Sequence, residues 1–101
     1  MKFIILILAI CFGLSANPIS KDCTLKGKKL YGKVKIVEHG QDFQVKVFTW
    51  GANLHVQIRN TTQRECGEWQ FVEWGEDFTI KIVDHGQDFS IQYVTYSPGL
   101  K

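Results

Sequence analysis

Ile36-Val37-Glu38-His39-Gly40-Gln41-Asp42-Phe43 and Ile82-Val83-Asp84-His85-Gly86-Gln87-Asp88-Phe89 are two copies of one stretch in a chain of 101 residues. A relative lies between them at Phe71-Val72-Glu73-Trp74-Gly75-Glu76-Asp77-Phe78, and a looser one at Val47-Phe48-Thr49-Trp50-Gly51-Ala52-Asn53-Leu54. Around these the chain stacks in units of 11 residues, beginning at Val34, Val45 and Val56 and, after an interruption at 60–68, at Trp69, Ile80 and Ile91. The result is six units in two blocks of three, the second block 35 residues after the first. A period of this kind is settled before anything else, because each unit is one local structure and the fold is the way the units stack.

Every unit alternates. The inward candidates are Val34 and Ile36; Phe43, Val45 and Val47; Leu54, Val56 and Ile58; Trp69 and Phe71; Phe78, Ile80 and Ile82; Phe89, Ile91 and Tyr93. A period of two among β-branched and aromatic residues predicts half-buried strands, and no window carries a helical period. Between strands, His39-Gly40-Gln41-Asp42, Trp50-Gly51-Ala52-Asn53, Trp74-Gly75-Glu76-Asp77 and His85-Gly86-Gln87-Asp88 place Gly second, where positive φ costs little. Asp or Asn stands fourth, where its side chain accepts hydrogen bonds from nearby backbone N–H groups. These are turn signals. Links this short predict antiparallel neighbours, with an unknotted β-sandwich or up-and-down barrel as the default architecture. Val37, Phe48, Val72, Val83 and Val94 fall in the outward phase and form a band that soluble proteins seldom leave exposed. The other block, the connecting segments or a partner is expected to cover it.

At the start of the chain, Lys2 precedes an uncharged apolar run at 3–14, followed by the small residues Ser15 and Ala16. This pattern predicts a signal peptide over residues 1–16. The run is too short to span a bilayer, and nothing comparable follows. The expected mature protein is exported and soluble, with an irregular N-terminal arm at 17–29 and one all-β repeat domain at 30–101. The formal charge is +2, of which Lys2 supplies one, so the balance implies no electrostatic partner. The distribution is uneven, lysines crowding 21–35 and acids the second half, which places a basic arm within reach of an acidic surface, its own or a partner's. Cys11 leaves with the leader; the remaining Cys23 and Cys66 are expected to form a disulfide in an exported chain of this size.

The series Trp69-Gln70-Phe71-Val72, Asp77-Phe78-Thr79-Ile80-Lys81-Ile82-Val83, Asp88-Phe89-Ser90-Ile91-Gln92-Tyr93-Val94 and the closing Pro98-Gly99 resembles the septoil knot domain family. The likeness runs from Leu30 to Gly99. It implies a small all-β domain of about six short strands in 11-residue units, threaded into a seven-crossing torus knot, with the two blocks wrapping each other and covering the outward apolar band. Such threading departs from the rules that normally prune topologies. The leader and the cysteine pair lie outside the family pattern. The resemblance brings no catalytic residues.

Chemistry-bearing candidates are few. His39 with Asp42 and His85 with Asp88 carry the residue types of a Zn²⁺ site or of an acid-base pair, but Trp replaces His in the same slot at positions 50 and 74, which points to a structural turn. Trp50, Trp74 and Tyr96 lie on or beside turns and suit an aromatic platform for a sugar or protein. Asn60-Thr61-Thr62 fits a glycosylation sequon in the interruption between blocks. Lys26, Lys28 and Lys29 lack interleaved aromatics, which argues against nucleic acid. There is no nucleophile motif, phosphate loop or plausible triad. The expected function is therefore a secreted, non-catalytic structural or interaction module without cofactor, with a carbohydrate- or metal-binding extracellular protein as the alternative and a small hydrolase third.

Overall fold

The computed structural model describes residues 17–100. The leader expected at 1–16 lies outside them. Strands occupy β1 Thr24–Leu25, β2 Lys28–Lys29, β3 Gly32–Ile36, β4 Phe43–Val47, β5 Leu54–Ile58, β6 Glu68–Phe71, β7 Phe78–Ile82, β8 Phe89–Tyr93 and β9 Gly99–Leu100. The six longer ones are the six predicted units. Their order is β6-β3-β7-β4-β8-β5, and β5 returns to pair with β6, so the sheet closes into a barrel. Each strand of the first block lies between two strands of the second. Within the barrel no strand edge is left without a neighbour, which removes the usual template for aggregation.

All six pairings are parallel, which overturns the expectation of antiparallel neighbours. The physical reason lies in where the links go. The Val37 N–H donates to Ile80 O at 2.9 Å and the Asp42 N–H to Thr79 O at 3.2 Å. The link from β3 to β4 thus strides across the outside of β7. In the same manner 72–77 crosses β3, 83–88 crosses β4, 48–53 crosses β8 and 94–98 crosses β5. Val37, Phe48, Val72, Val83 and Val94 each give their N–H to the strand being crossed, and all five are half-buried. The covering of the outward band is therefore supplied by the two blocks themselves.

The Asp and Asn of these links do accept from backbone N–H groups, though from the other block and not from their own turn. Asp42 Oδ2 accepts from Thr79 N–H at 2.9 Å, Asp88 Oδ2 from Gln44 N–H at 2.7 Å, Asp77 Oδ2 from Lys33 N–H at 2.8 Å, and Asn53 Oδ1 from Ser90 N–H at 2.9 Å. Each side chain acts as a clamp on the strand its link crosses. Asp88→Ala is expected to cost about 1–2 kcal/mol, since it strands a part-buried donor, while Asp88→Asn stays near wild type because Asn53 performs the same task. Thermal unfolding checks this: equal losses in both variants would show that charge, not acceptance, matters.

Inside, Val34, Val45, Val56, Trp69, Ile80 and Ile91 form one fully buried layer. Phe43, Leu54, Phe78 and Phe89 form the layer nearer the strand starts, where Phe43 meets Phe78 and Phe89 edge-on at 5.9 and 5.6 Å between centroids. The first strand of each block has no such side chain, because Gly32 and Gly67 occupy the equivalent places. Neither position accepts a Cβ: at Gly32 it would fall on the Asp77 carboxylate, and at Gly67 on the His55 carbonyl oxygen. The Asp77 carboxylate and the His55 carbonyl thus occupy the places that side chains would take.

The N-terminal arm contains the β1–β2 hairpin, turning at Lys26 and Gly27, both at positive φ. It places Ile19, Cys23 and Leu30 in the core, and Cys23 is bonded to Cys66. Asn17 donates to Asn53 O at 2.8 Å, and Lys26 and Lys28 approach Asp88 and Asp42 at 3.9 and 4.0 Å. Those three partners all stand just before strand starts. The arm therefore closes the end of the barrel where the strands begin, and the acidic surface within its reach is its own.

In the 59–67 link, Glu68 Oε1 accepts from the N–H groups of Arg64 and Glu65 at 2.8 and 3.1 Å, and its Oε2 lies 3.6 Å from Arg59. The Arg64 N–H, above all, holds the Glu68 carboxyl below its ordinary 4.5, against burial that raises it. A depressed carboxylate contributes stability above its unfolded value and loses it as pH falls through the folded one. Glu68→Gln is expected to lower stability at neutral pH and to flatten its decline below about pH 5. A Tm-against-pH series that matches wild type would refute this role.

Candidate functional site

Because the six barrel strands run the same way, their last residues gather at one mouth. These are Ile36, Val47, Ile58, Phe71, Ile82 and Tyr93, predicted as inward. Their phase is inward, but each stands past the buried layer, and five of them are 41–50% exposed; Phe71 is half-buried. The opposite mouth is plugged by the arm. One end of the barrel thus presents an apolar ring to solvent, and burial lifts the Tyr93 phenol above its ordinary 10.0, so the ring carries no charge at neutral pH.

The links decorate the rim of this mouth unequally. Just after their half-buried first residue, those crossing β3, β7 and β4 carry Glu73, Glu38 and Asp84, all exposed, while those crossing β8 and β5 carry Thr49 and Thr95. The outward faces repeat the division: Lys35, Lys81 and Lys46 lie on β3, β7 and β4, whereas β8 has Ser90 and Gln92 and β5 has His55 and Gln57. The faces of β3, β7 and β4 are charged, and those of β8 and β5 are not.

The next position in each link is an aromatic ring. Trp74, His39, His85, Trp50 and Tyr96 ride over β3, β7, β4, β8 and β5 in that order around the barrel. Trp50 and Trp74 are 80% and 84% exposed, so they do not cap the core. They stand over strands three places apart in a ring of six, on opposite sides, and cannot form one platform. Trp50 borders the mouth with Val47, and Tyr96 borders it with Tyr93.

His39 and His85 occupy adjacent links, but Asp42 and Asp88 are engaged in clamping Thr79 and Gln44. Among the described residues no three His, Cys, Asp or Glu side chains converge as a metal would require. Asn60 is exposed in the 59–67 link, as a sequon needs. No helix among the described residues is long and apolar enough to cross a membrane. The disulfide is consistent with an extracellular protein.

The strand alternation led to the mouth residues but did not show that their layer would be uncovered; that needed the parallel sense of the sheet. The uncharged pair β5 and β8 had a sequence signal that turn and strand reading passes over: 47–58 and 89–100 contain no Asp, Glu, Lys or Arg. The sequence matches the 7(1) septoil knot domain over residues 27–101. No curated protein matches it.

Proposed function

The chain belongs to the septoil knot domain family, and from that premise we propose that it is a secreted, non-catalytic interaction module that binds an extracellular protein through the open mouth of its barrel. The observation that carries this reading is the ring of Ile36, Val47, Ile58, Ile82 and Tyr93, each 41–50% exposed, at one end of a barrel whose other end is closed. Exposed apolar clusters of this kind mark interaction sites. The barrel and disulfide support the role by holding the ring rigid, so that little order is lost on binding.

The test immobilises the protein and exposes it to the extracellular fraction of the cells that make it. A partner retained by wild type is expected to bind Ile36→Glu/Ile82→Glu about 30-fold more weakly or worse, the scale of a lost hot spot. Circular dichroism controls for folding. If the retained proteins are the same for both, the mouth is not the binding surface.

A further inference from the structure

The side of the barrel formed by β5 and β8 contains a second surface, separate from the apolar ring except at Tyr93. Strands β5 and β8 are paired, and the 94–98 link crosses β5, so the two charge-free stretches 47–58 and 89–100 lie side by side. On this side a groove of about 470 Å³ is lined by His55, Gln92, Tyr93, Thr95, Tyr96 and Ser97. We infer that this groove binds a neutral saccharide.

Three observations converge on that class of ligand. First, the groove contains no charged side chain, whereas the cavities beside Lys28, beside Arg59 and beside Glu73 all do. No carboxylate, ammonium or guanidinium group stands here to pair with a charged ligand. Second, two partly exposed phenol rings, Tyr93 and Tyr96, stand among amide, hydroxyl and imidazole groups. A sugar offers the complement, with an apolar C–H face to lie against a ring and hydroxyls around its edge. The buried Oε1 of Gln92, a residue lining the groove, has no donor in the protein and stands as an unmet acceptor.

Third, the link itself departs from its sisters. Gly40, Gly51, Gly75 and Gly86 take the positive-φ place after the aromatic in the other four crossing links, at φ of 74 to 81°. Here that place is Ser97, at φ 55°. Glycine suits such backbone better than serine, and what serine adds is a hydroxyl in the groove. The link is held in place while doing so: Gln57 Nε2 donates to Thr95 O at 2.8 Å, and Val94 N–H to Val56 O at 2.9 Å.

The experiment follows backbone amide NMR shifts of the disulfide-bonded protein against cellohexaose, chitohexaose, maltohexaose and a heparin hexasaccharide. Saturable shifts at His55 and 92–97 with at least one neutral sugar, and none there with heparin, are expected. Tyr96→Ala and Gln92→Ala weaken that binding by about tenfold, the scale of one lost aromatic contact. Ser97→Gly weakens it while leaving Tm equal or higher, which separates a binding role from a structural one. Trp74→Ala, on the opposite side, and the mouth pair Ile36→Glu/Ile82→Glu leave it unchanged. The inference is overturned if no neutral sugar shifts these amides, if heparin shifts them equally, or if binding survives Tyr96→Ala and Gln92→Ala together.

Discussion

Cys23→Ala/Cys66→Ala is expected to unfold with about 4 kcal/mol less stability than wild type. The bridge joins residues 43 apart in sequence, and cross-linking such a loop removes freedom mainly from the unfolded chain. For a domain whose total is on the order of 5–10 kcal/mol, that is a large share. A second effect adds to the first. Beyond Ile19, Cys23 and the partly buried Leu25, the arm meets the barrel through an Asn17 hydrogen bond and two ion pairs of exposed lysines, and ion pairs of that kind contribute about 0–1 kcal/mol each. Without the bridge, amide hydrogens at 17–29 should exchange well before those of the barrel. Chemical denaturation gives the stability and hydrogen exchange gives the location. A double variant within a degree or two of wild type, with its arm still protected, would sink both parts.

Trp69→Ala should be of similar severity, about 3–5 kcal/mol. Trp69 is fully buried, meets Phe78 edge-on at 5.5 Å, and donates its indole N–H to Leu30 O at 2.9 Å. It stands opposite Gly32 in the ladder. Trp69 is packed among fully buried side chains, so alanine leaves a cavity that they fill only in part. Trp69→Phe retains part of the volume and loses the indole donor, so an intermediate loss is expected. Urea denaturation of the pair decides the matter: if alanine costs no more than phenylalanine, the cavity argument fails.

Much of this fold was legible in the sequence. The 11-residue period placed the six barrel strands, Trp69 belonged to the core by phase, and the two cysteines beyond the expected leader predicted their own pairing. The sense of the strands was not legible. Gly second and Asp fourth in a short link are the local chemistry of a hairpin, and the fact that distinguishes this protein is that Asp88 meets Gln44, 44 residues away. A local pattern cannot report a distant partner. The candidate site suffered from the same gap. Trp50 and Trp74 share a slot in the repeat, which suggested a shared surface, but the interleaving of blocks sends them to opposite sides. His39 and His85 do become neighbours, and their aspartates are already engaged.

The interleaving has a consequence for how the molecule reaches its native state. Every unit of one block offers nearly the same inward side chains, so the repeat pattern alone does not distinguish the native pairing from one displaced by a whole repeat. Such a competitor is separated from the native pairing by features that occur once per block or once per chain: Gly32 and Gly67 where the other units carry Phe or Leu, Trp69 where they carry Val or Ile, and the antiparallel β9 closing on Leu54 and His55. Pairing over distances of about 37 to 44 residues is slow to find, and the time spent searching gives the misregistered arrangement its opportunity. The irregular residues of this repeat are therefore its proofreading marks.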